Sequence, residues 1–252
     1  MRHLVLSDVH ANLPALDAVL SHARGRGYDD VVFLGDAVGY YPHAEEAVQR
    51  LIELSPRVAI LGNHDATLLA ILDGEVVEQR DAGLVVDVLA RQAETLSDDS
   101  VGFLRDLRPH VLTGSWEAAH GALRQPWEYI ASLAAAQANL ERMQRPLLFV
   151  GHTHTPKVFA AVESGGQLMW RTVTFRHDLG HYRLPPYARV LANPGAVGQP
   201  RDQIPLAAYA LFDEDARTLE FHRVAFDIGS VQSDVRAAGY PDVLAARLEV
   251  GR

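Results

Sequence analysis

The chain has 252 residues, 48% of them hydrophobic, and shows no linker, repeat or low-complexity stretch, so it reads as one domain over residues 1–252 with a sizeable core. A formal net charge of -9 counts against a binder of long nucleic acid and makes any phosphate site dependent on local positive charge. The absence of cysteine removes disulfides, thiolate metal sites and a cysteine nucleophile together, leaving His, Asp, Glu and Asn as metal donors.

Leu4, Val5 and Leu6 read as a strand buried on both faces, too short for a helix. It starts within three residues of Met1, which leaves no room for a charged n-region and an apolar h-region, and no later segment approaches a membrane span. A cytoplasmic location with no membrane partner is the expectation. The strand ends at Asp8 and His10, which converge if the backbone stays extended past Ser7. Alone, this pair fits a metal site or a helix-capping Asp beside an exposed His.

Residues 12–24 carry Leu13, Leu16, Val19 and Leu20 at helical spacing, ended by Gly25 and Gly27. "DDVVFLGD" predicts a second short strand, "AEEAVQRLIEL" an amphipathic helix stopped before Pro56, and "RVAILGNHD" a third strand. This β-α-β-α-β order favours a parallel sheet covered by helices, with ligands beyond the carboxyl ends of the strands. Residues 66–107 read as helices, followed by a strand near "SWEAAH", a helix over residues 126–143 and a strand at "PLLFVGHTH". Beyond residue 157, short strands separated by turns predict a second, antiparallel sheet, and Val231–Leu248 one or two covering helices. The sum is an α/β fold, a four-layer α/β/β/α sandwich of two stacked sheets flanked by helices.

The strand ends read Asp8-x-His10, Gly35-Asp36, Gly62-Asn63-His64-Asp65, His120-Gly121 and Gly151-His152-Thr153-His154. Five polar clusters at strand-to-loop switches, all rich in metal-ligand types, define one constellation. In this order they resemble the calcineurin-like metallophosphoesterases, and "SDVHANLPAL", "FLGDAVGYYP" and "NPGAVGQPRD" are similar to the small prokaryotic phosphodiesterase-like branch. The resemblance implies two mixed sheets with two divalent ions between them. Asp8, His10 and His154 would bind one ion, Asn63, His120 and His152 the other, and Asp36 would bridge both. Mixed N/O ligation suits Mn²⁺, Fe²⁺, Co²⁺, Ni²⁺ or Zn²⁺, and Mn²⁺ is the expected activator. The implied mechanism is in-line attack by a metal-bridging hydroxide on a phosphoester, with His64, a nonligand, assisting the leaving group.

Protein phosphatases of this superfamily continue the second motif as G-D-x-x-D-R-G, whereas Gly39 and Tyr40 stand here where Asp and Arg would be. The Asp that would orient His64 and the Arg that would grip phosphate are both missing, and Asp65 is the nearest alternative orienting group. A phosphate monoester dianion gains more from a positive clamp than a diester does, so small nucleotide-like phosphodiesters are the expected substrates. A phosphomonoesterase or protein phosphatase, a dinucleoside polyphosphate hydrolase and an inactive scaffold are the alternatives. Arg124 fits either a phosphate contact or a surface Arg, Tyr40 and Tyr41 either a substrate rim or core, and Asn193 either a wall of the site or a tight turn. His177 and His181 fall in residues 176–188, which read as a loop, either a lid or simply solvent-exposed.

Overall fold

The protein, a computed structural model describing residues 1–76 and 83–252, contains two stacked six-stranded sheets. The first runs β3 (Val58–Ala59), β2 (Asp30–Phe33), β1 (Arg2–Leu6), β11 (Ala207–Asp213), β12 (Thr218–Val224), β9 (Leu179–Arg183). The second runs β4 (His110–Leu112), β5 (Trp116–Ala119), β6 (Leu147–Phe149), β10 (Arg189–Asn193), β7 (Lys157–Ser164), β8 (Gln167–Thr174).

The alternation of side chains along a strand builds the layers. Leu4 and Leu6 of β1, with Val31 and Phe33 of β2, pack outward under helices, while Val5, Val32 and Leu34 pack inward against Phe149, Val190 and Ala192 of the second sheet. The helices α1 (Leu13–Arg24), α2 (Ala44–Leu54), α7 (Ile228–Ala237) and α8 (Asp242–Val250) share the outer core of the first sheet. To this core α3 (Asn63–Leu72), α4 (Gly83–Ala93) and α5 (Asp98–Asp106) contribute Leu68, Leu89 and Leu104. The outer face of the second sheet is covered by α6 (Leu133–Leu140) and the irregular segment before it. This is the α/β/β/α sandwich anticipated from the sequence. Of the span expected to be helical, residues 77–82 lie outside the described residues.

Three expectations need correction. The later strands do not form an antiparallel sheet of their own: β11, β12 and β9 extend the first sheet, and β10 enters the second parallel to β6, so both sheets are mixed. β11 pairs antiparallel with β1, residue 211 opposite residue 4, and so occupies an edge that a simple β-α-β repeat would leave free.

The helix expected over residues 126–143 is confined to Leu133–Leu140, because Ser132 caps it by accepting from the Ala135 amide and because the chain before it is held in a loop. There the Ala122 amide donates to the Pro126 carbonyl, and a Cβ on Gly121 would meet that carbonyl oxygen at 2.3 Å. The stretch at 176–188, read as a loop, contains the edge strand β9, with His181 opposite Glu220 of β12, and His177 and His181 are both solvent-exposed.

Candidate metal centre

The carboxyl ends of β1, β2, β5 and β6 meet at one end of the sandwich. Asp8 and His10 converge there, though not by extended backbone: their φ angles are 55° and 51°, left-handed for both. The turn holds because its amides keep donating to the neighbouring motif, Asp8 to the Gly35 carbonyl (3.0 Å), His10 to that of Asp36 (2.9 Å) and Ala11 to that of Ala37 (2.8 Å). Asp36, His152 and His154 are left-handed too, with φ of 60°, 65° and 57°. Gly62 allows a close approach, since a Cβ there would fall 2.1 Å from Asp36 Oδ1.

Two buried groups result, Asp8–His10–Asp36–His154 and Asp36–His120–His152, with Asp36 common to both. Asn63 Oδ1 joins the second, 3.2 Å from His120 Nε2. Each carboxylate has one oxygen fully engaged. Asp8 Oδ2 accepts from the Ser7 hydroxyl (2.6 Å) and the His152 amide (3.1 Å), and Asp36 Oδ1 from the His64 amide (2.9 Å). The other oxygen of each, Asp8 Oδ1 and Asp36 Oδ2, is buried without a hydrogen-bond partner.

Asp36 Oδ2 lies 3.3 Å from His120 Nε2 and 3.7 Å from His10 Nε2, and Asp8 Oδ1 lies 3.1 Å from His154 Nε2. The imidazoles are fixed from behind: Nδ1–H of His10, His120 and His154 donates to the carbonyls of Val38 (3.1 Å), Leu34 (2.7 Å) and Gln199 (2.5 Å). In the neutral rings this leaves each Nε2 a lone pair. His10 and His154 then present two lone pairs to one another across 3.2 Å, an arrangement that repels unless a cation lies between them. Two orphaned carboxylate oxygens and opposed imidazole lone pairs fit a divalent metal site, with N/O donors and no sulfur.

The charges respond to one another. Burial works against ionisation of Asp36, but His120, His64 and His10 outweigh it and hold the carboxyl well below its usual range. Burial lowers His10, whereas His120 is pushed up to about 9 because Asp36 and Asp8 overcome its burial.

His64 is the second residue of α3 and sits against this cluster, its ring 4.7 Å from that of His10 and its Nε2 4.0 Å from Asp36 Oδ2. Burial pushes it down to about 4. Its Nδ1 is buried without a partner and faces Gly39, where a Cβ would come within 2.4 Å. Asp65 does not orient it. That carboxylate instead accepts from the amides of Gly62, Asp36, Ala37 and Val38, tying the second and third motifs together.

The residues expected to touch substrate fare differently. Arg124 is exposed, its guanidinium paired with Glu128 four residues along the same loop. Asn193 is buried with all its polar atoms engaged: Nδ2 donates to the Gly151 carbonyl and the Thr153 hydroxyl, and Oδ1 accepts from the Gly195 amide. It props the Gly151–His154 turn and has no donor left for a ligand. Tyr40 is buried between His10 and His64, not at a rim, and Tyr41 is fully buried in the core.

Sequence reasoning missed three residues near the cluster. Tyr129 stacks on His152 with 3.9 Å between ring centroids, Trp127 gives its carbonyl to His152 Nε2 (3.1 Å), and Arg201 donates to the Tyr40 hydroxyl (2.9 Å). Arg201 stood in the "NPGAVGQPRD" stretch, and a lone Arg in a motif otherwise made of turn residues was the available signal.

Two stacked mixed sheets with an Asp/His cluster at the strand ends make an α/β/β/α scaffold that carries a candidate metal site. The model of the calcineurin-like phosphoesterase superfamily domain matches residues 1–217, and the chain belongs to that superfamily. It is similar over its whole length to a metallophosphoesterase from Sphaerobacter thermophilus, 35% identical, with a TM-score of 0.85 and 100% of both chains covered. It is also 31% identical to an uncharacterized protein of Methanocaldococcus jannaschii, covering 98% of this chain and 97% of that one. A hypothetical protein from Pyrococcus horikoshii, 19% identical with a TM-score of 0.74 over 100% of this chain and 98% of that one, shares the fold. No helix among the described residues is long and apolar enough to cross a membrane.

Proposed function

We propose that the protein is a dinuclear phosphodiesterase acting on small, nucleotide-like phosphodiesters, with Mn²⁺ as the activating ion. Asp8, His10 and His154 would hold one ion, Asn63, His120 and His152 the other, and Asp36 both. When bound, two divalent ions supply Lewis-acid polarisation of the phosphoryl group and activation of water near neutral pH. The chain's own residues do the rest. Asp36 would keep the ions together and Asp8 would neutralise one of them, the backbone carbonyls behind His10, His120 and His154 fix the imidazoles, and His64 would assist the departing oxygen from its place beside Asp36.

The observation that carries the diester reading is a trough of about 400 Å³ that starts at Asn63 and is lined by Ala66, Thr67, Ala70, Val76 and Trp127. Its walls are small α3 side chains, the exposed Val76 and an indole that is 41% exposed. A monoester has one substituent on phosphorus and a diester two, and an open, partly aromatic trough beside the reacting centre suits the second, a nucleobase in particular.

The expected order of kcat/KM, with one metal at one pH, is a small nucleotide diester above the matched monoester and a phosphopeptide lowest. A clear preference for the phosphopeptide would overturn the reading.

A further inference from the structure

Tyr40 occupies the sequence position where a phosphate-gripping Arg would be expected, yet a guanidinium reaches the same place from elsewhere. Arg201 comes from the loop between β10 and β11. That loop is fastened to the Asp8–His10 turn: the amides of Val197 and Gly198 donate to the carbonyls of Ser7 and Asp8 (both 2.9 Å), and Asn12 Nδ2 donates to the Gly198 carbonyl (2.8 Å). A Cβ on Gly198 would lie 1.8 Å from the Val9 carbonyl oxygen, so the two segments are in direct contact. The Gln199 carbonyl holds His154, and the buried Asp202–Arg223 pair anchors the loop on its far side.

The guanidinium is held by its edge. Nη2 donates to the Tyr40 hydroxyl and to Gln199 Oε1 (3.1 Å), and Nε reaches the same Oε1 at 3.3 Å. The Tyr129 hydroxyl, on the ring that stacks against His152, lies beside it as well. Arg201 thus spans from the His154 side of the cluster toward the His152 side, bonded to the Tyr40 phenol whose ring packs against His10 and His64. These bonds occupy Nε and Nη2, and no hydrogen bond from Nη1, which has two hydrogens to give, is found among the described residues.

We propose that Arg201 is the substrate-binding residue that grips a non-bridging phosphate oxygen, supplying from the β10–β11 loop the cation that Tyr40 does not. Tyr40 then serves the same site, its phenol oxygen holding the guanidinium in place. The clamp rests on the phosphoester-hydrolase reading for its substrate and concerns the phosphate group common to diesters and monoesters. It also revises the electrostatic reason for expecting diesters, since positive charge is present; the preference rests on the trough beside Asn63.

The test uses the Mn²⁺-loaded full chain, with Arg201→Gln and Arg201→Lys. Inorganic phosphate binding is measured by calorimetry, metal content by elemental analysis, and diester turnover at steady state. A lost charge-assisted hydrogen-bond pair predicts phosphate binding weaker by about 10- to 100-fold in R201Q, with a similar rise in KM and a smaller fall in kcat. R201K should recover part of the affinity, because the charge stays and the fork is lost. Arg247→Gln, near the Tyr40 ring but bonded to the Arg252 carbonyl, should bind phosphate as the wild type does.

Unchanged phosphate affinity in metal-replete R201Q overturns the clamp. So does loss of both ions in R201Q and R201K alike, which would make Arg201 structural. A wild type that binds phosphate through Arg201 but hydrolyses no phosphoester would overturn the hydrolase reading and leave the clamp standing.

Discussion

The two ends of the sandwich use the same unfavourable backbone for opposite purposes. At the carboxyl ends of the parallel strands lie seven of the eleven non-glycine residues that have left-handed φ among the described residues: Asp8, His10, Ala11, Asp36, Tyr40, His152 and His154. All seven are buried. At the other end Tyr187 and Arg217 have φ of 58° and 55°, in turns that border a cavity of about 720 Å³ with Pro185, Pro186 and Asp215. Tyr187 is 96% exposed, and nothing there converges. A left-handed non-glycine residue costs roughly 1 kcal/mol wherever it occurs. What separates the ends is that the first group is pinned by backbone hydrogen bonds around orphaned carboxylate oxygens, whereas the second is an ordinary exposed turn beside a larger cavity. Buried strain with unpartnered polar atoms marks the reacting end, and cavity size does not.

Removing what the strain holds should have the largest effect. A chelator should abolish hydrolysis of an aryl phosphodiester and Mn²⁺ should restore it, while Asp36→Asn should lose metal and lower kcat/KM by on the order of 10³-fold or more. Full activity in protein shown by elemental analysis to be metal-free would break the comparison outright. His64→Ala should keep its metal and lose about 10² to 10⁴ in kcat, less for leaving groups such as nitrophenolate that need no proton. An equal loss across leaving groups of widely different pKa would remove the proton-donor role.

Gly39→Ala is a milder probe of the same end. With φ at +101° and a Cβ 2.4 Å from His64 Nδ1, the change should cost about 1–3 kcal/mol in a denaturant midpoint and lower kcat by roughly tenfold, with metal retained. His222 tests a buried polar group away from both ends. It stacks on Tyr209, and burial pushes it down to about 4. Between its unfolded value of about 6.5 and that folded value, the unfolded chain binds a proton that the native chain does not, so stability falls as pH drops through this window. His222→Phe should flatten that fall by about 1–3 kcal/mol, read as urea midpoints at pH 7 and pH 4.5, with no change in kcat. Tyr187→Ala at the far end should leave activity and stability within about 0.5 kcal/mol of wild type.

The strand-end motifs were legible because each is local: a short apolar run and a metal-type side chain lie within a few residues, with a glycine between them in Leu61-Gly62-Asn63-His64. Layering was legible for the same reason, through the alternation at Leu4, Val5 and Leu6. What escaped was set by distant partners. The pairing of β11 with β1 depends on residues about 200 positions apart, and no periodicity encodes which sheet a strand will join. Helical spacing over residues 126–143 was overruled by the Ala122–Pro126 loop bond and the stacking of Tyr129 on His152. Arg201 had its motif as a signal and Arg124 only its nearness to His120, and their partners decide between them: Arg124 meets Glu128, whereas Arg201 is delivered to Tyr40 by a loop anchored on β1's exit.

That anchoring bears on how the chain is made. His154, the last of the histidines in the cluster, precedes β11 by more than fifty residues, and until β11 emerges β1 has a neighbour only on its β2 side. At a synthesis rate of roughly 5–20 residues per second, the growing chain spends about 3–10 s with its metal-binding side chains present but β1 open on one flank and the Asp8 carbonyl unpaired. An apolar strand with a free edge is prone to pair with another chain. The late arrival of Val197, Gly198 and β11 makes the centre one of the last parts of the molecule to close, so a nascent chain released early should aggregate before it can hold an ion.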